Sequence, residues 1–95
     1  MKISFDFDGT INTSRGFELA KSYISKGATV YIISARSNKE SMMRTATLLG
    51  IPSSRVFATG SNTKKVEKVL SLGISKHIDN NPDVVSKLKD KGEKF

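Results

Sequence analysis

Hydrophobic and polar positions along this chain alternate between a strand period and a helix period. Short apolar runs rich in Ile, Val and Phe predict four strands, at about Lys2 to Phe7, Ala28 to Ser34, Arg55 to Ala58 and Lys76 to Asp79. Apolar residues at helical spacing follow each run and predict four helices, whose ends are marked by Gly27, Gly50, Gly73 and Gly92. Strands that alternate with helices are typical of an α/β parallel sheet.

The helix starts carry their own signals. The first helix is predicted from about Ser14 to Lys26. Ser37 and Glu40 have the spacing of a capping box, Thr63 is a candidate cap for the third helix, and Asn81 precedes a proline at the fourth. Right-handed crossovers then give a doubly wound sheet of four strands in the order 3-2-1-4, with helices on both faces. Ligands in such sheets bind outside the carboxyl ends of the strands.

Length and composition limit the number of domains and the classes of ligand. The chain has 95 residues, which predicts one domain over residues 1–95. Its 16 basic and 9 acidic residues give a net charge of +7, which favours anionic ligands such as phosphorylated metabolites or nucleic acid. A lysine-rich surface is also a common way to stay soluble, so charge alone does not choose between these interpretations.

Several classes of chemistry are excluded or disfavoured. The absence of cysteine excludes disulfides, thiolate catalysis and Cys-based zinc sites, and His77, the only histidine, is interpreted as a structural strand residue. The sequence shows no apolar segment with the pattern of a signal peptide or the length of a membrane span. We therefore expect a cytoplasmic protein without a membrane partner.

The most informative feature is a pair of acids, Asp6 and Asp8, at the end of the first strand. Alternate residues of a strand share a face, so both carboxylates are expected to project together. Two hard oxygen ligands at a strand end suit Mg²⁺, which takes one or two carboxylates, waters and a substrate phosphate. The competing interpretation is an ordinary Asp-Gly turn, but it leaves Asp6 unexplained.

Three further groups are predicted at the same edge. Ser34 ends the second strand, Lys64 and Lys65 open the third helix, and Asp79 ends the fourth strand. In a phosphoryl transfer, Asp6 would be the nucleophile, Asp8 the general acid and base, and Ser34 a donor to the phosphoryl group. A lysine would neutralise developing charge; we favour Lys65 over Lys64. Asp79 and Asp83 are candidates to complete the Mg²⁺ ligands with Asp6 and Asp8.

The order of these residues resembles the motifs of the haloacid dehalogenase-like (HAD) hydrolases. The first motif matches Phe5 to Ile11, the second Ile32 to Arg36, the third the Lys64/Lys65 helix start, and the fourth Ile78 to Asp83. The resemblance implies Mg²⁺-dependent hydrolysis of phosphate monoesters through an aspartyl-phosphate. It also implies metal contacts from Asp79 and the Asp8 carbonyl, and phosphate contacts from residues in these motifs, namely Gly9, Thr10, Ser34, Ala35, Arg36 and Lys65.

The chain departs from the family pattern in three ways. Neither customary insertion point has room for a cap domain, so an open pocket is expected. Asn80 stands where many relatives carry a second acid, which makes Asp83 the expected extra ligand. The usual fifth strand would follow Gly92, where only three residues remain, and a bare sheet edge predicts a homo-oligomer.

Within this class the open pocket keeps two substrate alternatives, a nucleic-acid end and a nucleotide monophosphate. Two other classes remain open. A receiver-like phospho-acceptor domain needs an aspartate at the end of the third strand, where this chain has Ala58, Thr59 and Gly60. A catalytically silent module that binds phosphate or nucleic acid is the other.

Overall fold

The computed structural model describes residues 1–95 and contains one parallel sheet of five strands. The strands are β1 (Lys2–Phe5), β2 (Thr29–Ser34), β3 (Val56–Ala58), β4 (Lys76–Asp79) and β5 (Gly92–Lys94), in the order β3-β2-β1-β4-β5. All four pairings are parallel. The predicted α/β class is confirmed, and the first four strands have the predicted order.

Helices cover both faces of the sheet. They are α1 (Ser14–Ser25), α2 (Met43–Leu49), α3 (Asn62–Ser71) and α4 (Pro82–Leu88). Apolar residues of α1 and α2 join one core cluster, and those of α3 and α4 join a second cluster on the opposite face. None of the helices combines the length and hydropathy needed to cross a bilayer.

The first strand ends at Phe5, two residues earlier than predicted. The chain then forms a wide turn, Phe7–Ile11, in which Asp8 and Gly9 have non-helical backbone angles. Asp6 is buried and Asp8 is exposed. Asp8 therefore lies in the turn and not on the strand, although both side chains line the same concavity, as predicted.

A fifth strand, β5, corrects the prediction of a bare sheet edge. Gly92–Lys94 pairs with β4, and the Phe95 N–H donates to the Asp79 carbonyl at 2.9 Å. Lys76 on β4 and Glu93 on β5 form an ion pair at 3.0 Å. The homo-oligomer was predicted from this edge and from the absence of a cap domain. β5 removes the first reason, and the oligomer stays a prediction.

Two of the predicted helix caps are also corrected. Ser61 rather than Thr63 caps α3, by accepting a hydrogen bond from the Lys64 N–H at 3.1 Å. The second helical segment begins with a 3-10 turn, Glu40–Met42, whose first N–H donates to Asn38 rather than to Ser37. Hence both helices start at a residue other than the one with the strongest sequence signal.

Gly16 fixes how closely α1 approaches the turn that carries Asp8. A Cβ atom at this position would lie 1.8 Å from the Thr10 carbonyl oxygen, far inside contact distance. The side chain of Thr13 caps α1 by accepting from the Gly16 N–H at 3.1 Å. The absence of a side chain at Gly16 therefore allows the helix to pack against the turn.

Candidate active site

An open cleft of about 420 Å³ lies at the carboxyl edge of the central strands. The polar side chains predicted at the ends of β1, β2 and β4 meet there, together with the start of α3. Its lining residues are Asp6, Asp8, Ser34, Ala35, Arg36, Asn62, Lys65, Asp79, Asn80 and Asn81. The topology therefore gathers positions that are far apart in sequence into one polar concavity.

A buried lysine joins two of the acids. The Lys65 Nζ lies 3.0 Å from Asp6 Oδ1 and 2.9 Å from Asp79 Oδ2, and all three residues are buried. Lys64, the alternative lysine, is exposed and lines a different concavity. One ammonium thus faces two carboxylates inside the protein, and Lys65 is the lysine that contacts Asp6.

His77 extends this network into the core. Its Nε2 lies 2.9 Å from Asp79 Oδ2, and its Nδ1 lies 2.6 Å from the Ser4 Oγ. His77 was predicted to be a structural strand residue, and its contact with the site was not predicted. The signal that could have found the contact is the strand period, because His77 and Asp79 are two residues apart on β4 and share a face.

The two buried acids have opposite pKa shifts. Burial raises the pKa of Asp6, the Lys65 ammonium opposes that shift, and the Asp79 carboxylate adds to it. Burial would also raise the pKa of Asp79, but hydrogen bonds from His77, Lys65 and the Asn81 N–H outweigh it and lower the pKa to about 2. Asp79 is therefore held as an anion, while burial makes the ionised form of Asp6 less favourable than that of a free carboxyl group.

Asp8 is engaged by Arg36 at the mouth of the cleft. The guanidinium donates to both carboxylate oxygens, from Nε at 2.8 Å and from Nη2 at 2.6 Å. The Arg36 hydrogen bonds lower the pKa of Asp8. Arg36 also donates to Ser41 at 2.9 Å and lies 5.3 Å above the Phe7 ring. More than 40% of both paired side chains is exposed, so the pair is open to competition from an incoming anion.

The other predicted phosphate contacts are divided between the cleft and its surroundings. Ser34 and Ala35 line the cleft, and the Ser34 Oγ accepts the Arg36 N–H at 3.1 Å. Thr10 lies behind Asp6, with its hydroxyl 3.4 Å from Asp6 Oδ2. The Gly9 N–H already donates to the Asn12 side chain at 2.8 Å. Thr10 and Gly9 therefore support the turn and do not line the cleft.

The structure does not bring Asp83 to the cleft. Asp83 is exposed on the first turn of α4, where its N–H donates to the Asn81 cap at 2.9 Å. Asn80 lines the cleft instead, and its side chain approaches Gly9 so closely that a Cβ there would lie 2.4 Å from Nδ2. The expected extra metal ligand therefore lies outside the cleft, and the side chain of Asn80 lines the cleft with Asp6 and Asp8.

The fit of the cleft to Mg²⁺ depends on which oxygen atoms other residues leave free. No three His, Cys, Asp or Glu side chains converge on one point. Lys65 and His77 engage Asp79 Oδ2, and the Asn81 N–H engages Oδ1, whereas Asp6 Oδ2 has only the long Thr10 contact. Because Mg²⁺ keeps several waters and needs only one or two carboxylates, the Asp6 carboxylate and the Asn80 amide are compatible with it.

Comparison with protein-family models, with curated proteins and with solved structures found no match to this chain.

Proposed function

We propose that this chain is a Mg²⁺-dependent phosphatase of the HAD-like type, which hydrolyses phosphate monoesters through an aspartyl-phosphate. The observation that carries the proposal is the Lys65 ammonium, held 3.0 Å from Asp6 at a cleft that Ser34 and Asp8 also line. A nucleophilic carboxylate, a fixed cation and a hydroxyl donor are the groups that transfer of a phosphoryl group to a carboxylate needs.

In the first step an Asp6 oxygen attacks phosphorus. The new bond joins Asp6 to the phosphoryl group while the ester bond breaks, and Asp8 gives its proton to the departing alkoxide oxygen. In the second step water attacks the same phosphorus, Asp8 takes a proton from that water, and the bond to Asp6 breaks. Lys65 offsets the charge that collects on the phosphoryl oxygens, and Ser34 donates a hydrogen bond to them.

The ion pair between Arg36 and Asp8 must open before these two reaction steps can begin. Both Asp8 oxygens are engaged by the guanidinium, so Asp8 is ionised and paired before substrate arrives. A phosphate dianion offers Arg36 a similar bidentate partner. Substrate binding would therefore release Asp8 from Arg36. The freed carboxylate would then take up a proton from the phosphate monoanion or from solvent, and that is the proton it gives to the departing alkoxide.

A bound Mg²⁺ would be held by Asp6, Asn80 and the Asp8 carbonyl, and it would supply charge neutralisation on the phosphate. Lys65 alone places one positive charge against two buried carboxylates. These three residues therefore carry an excess of negative charge, which a bound divalent cation would offset.

The direct test is turnover of a generic aryl phosphate with and without Mg²⁺. We expect hydrolysis that depends on added Mg²⁺ and disappears in excess chelator, since the residues alone do not neutralise the reacting phosphate. Release of inorganic phosphate would be measured. If the wild-type protein binds phosphate without turnover under any divalent cation, a silent phosphate-binding module replaces the phosphatase.

Asp8→Asn is expected to lower turnover by about 10²–10⁴-fold, the usual contribution of general acid-base catalysis. The amide keeps the shape of the side chain but cannot supply a proton to the leaving group. The loss of kcat should be smaller for aryl phosphates with acidic phenols than for alkyl phosphates. Equal losses for both kinds of substrate would contradict the acid role of Asp8.

A further inference from the structure

A second concavity, of about 460 Å³, lies between β3 and α3, beside the cleft. Because β3 is an outer strand of the sheet, this groove is open along one side. Phe57 forms part of its floor, and Lys64 and Lys68 project from α3. Glu67 is the one acid among its lining residues, so the groove is basic on balance.

Aromatic and basic side chains are paired along this edge of the protein. The Lys68 Nζ lies 4.9 Å from the centre of the Phe57 ring, and the Arg55 guanidinium lies 5.9 Å from that of Tyr31. These four side chains are half-buried, so each presents part of its surface to solvent. We name Tyr31, Arg55, Phe57, Lys64 and Lys68 the edge surface.

The chemistry of the edge surface matches one kind of ligand. Lysine and arginine alone would suit any anion, but half-exposed aromatic rings beside them suit a polyanion that also carries flat apolar groups. Single-stranded nucleic acid has both, since its bases stack on aromatic rings and its phosphates pair with lysine and arginine. An acidic peptide would use the charges and leave the rings unused.

The edge surface is continuous with the cleft. Lys64 borders the groove and its neighbour Lys65 contacts Asp6, so the first turn of α3 separates the two concavities. Thr59 also lines the groove, and its Oγ1 lies 2.8 Å from the carbonyl of Ser34, a cleft residue. A strand lying along the edge surface would therefore reach the cleft with its end.

We propose that the edge surface binds single-stranded nucleic acid and presents a terminal phosphate to the cleft. The presentation of the phosphate rests on the proposed function, whereas binding does not. The alternating arrangement of rings and cations predicts little preference for base sequence, since every base has a face that can stack. Affinity should fall steeply with added salt.

Binding is tested by fluorescence anisotropy with a labelled single strand of about ten nucleotides, a length within the usual site size. Lys64→Gln/Lys68→Gln is compared with Lys21→Gln/Lys26→Gln, which removes the same charge from exposed positions of α1 and its end, on the opposite face. At ~0.1 M salt the first variant should bind about 10–30-fold more weakly, from the loss of two phosphate contacts, while the second should change less than about threefold. Phe57→Leu, which keeps an apolar side chain, should weaken binding about tenfold by loss of stacking.

Equal losses in the two double-lysine variants would overturn the proposal, because they would show attraction to net charge alone. The proposal would also be overturned if a polyglutamate peptide bound as tightly as the oligonucleotide. Unfolding midpoints of all variants, measured in parallel, identify any that fail to fold. The binding measurement does not depend on turnover. If the protein binds single strands but hydrolyses no phosphate ester, the proposed phosphatase function is overturned and the proposed binding surface stands.

If the protein hydrolyses aryl phosphate but releases no terminal phosphate from a bound strand, the proposal that the edge surface presents a terminal phosphate to the cleft is overturned.

Discussion

Asp6→Asn is expected to reduce phosphate release by about 10⁴-fold or more, the scale seen when a catalytic nucleophile is removed. No other carboxylate near Lys65 can take its place, because Asp79 is buried and fully hydrogen-bonded. The measurement is kcat for aryl phosphate with Mg²⁺ present. Turnover near the wild-type rate would show that Asp6 is not the nucleophile.

The same substitution should make the protein more stable. Because burial raises the pKa of Asp6, its ionised form costs free energy in the folded state at neutral pH, and asparagine removes that cost. The gain in thermal midpoint should be present at pH 7 and vanish below about pH 4, where the carboxyl is protonated in both states. Inactivity accompanied by a lower midpoint at pH 7 would point to damage of the fold instead.

Lys65→Met should destabilise the protein by about 3–5 kcal/mol, the range for breaking a buried ion pair by removing one partner. The variant leaves Asp6 and Asp79 buried without their shared cation. Denaturant unfolding gives the midpoint, and activity should fall with it because the phosphoryl charge is no longer offset.

Lys64→Met is the matched control, since it changes the adjacent, exposed residue in the same way. We expect its free energy of unfolding to change by less than about 0.5 kcal/mol. Adding Asp79→Asn to Lys65→Met should recover part of the lost stability, because one uncompensated charge is removed. If Lys65→Met and Lys64→Met unfold alike, the buried network does not stabilise the fold as described.

The sequence predicted the strand order and the ends of β2, β3 and β4 because the apolar runs have a clear period. Asp6, Ser34 and Asp79 directly follow or end such runs, so a parallel sheet necessarily gathers them at one edge. The choice of Lys65 over Lys64 depended on the apolar face of α3 and on the spacing to Gly73 in the sequences that the chain resembles. Lys65 is buried on α3 and contacts Asp6. The positions of Asp6, Ser34 and Asp79 could therefore be predicted from the strand pattern alone.

Other features depend on contacts that no local pattern encodes. β5 is only Gly92–Lys94, too short and polar to read as a strand, and it is ordered by backbone pairing with β4. The environment of the Asp8 side chain depends on where β1 ends. Phe7 is apolar and extends the strand pattern in the sequence, so the end of the strand at Phe5 was not predicted. Asp83 was expected at the cleft from its spacing, but it is exposed on the first turn of α4 and does not line the cleft.

Gly16 has a consequence for how substitutions would be tolerated across this protein. It lines no part of the cleft, yet any larger residue would collide with the Thr10 carbonyl and shift the turn that bears Asp8. A survey of all single substitutions would therefore score Gly16 as harshly as a residue that contacts phosphate. Intolerance in such a survey would then have two different causes, the proposed chemistry at Asp6 and the close packing of two backbone segments at Gly16.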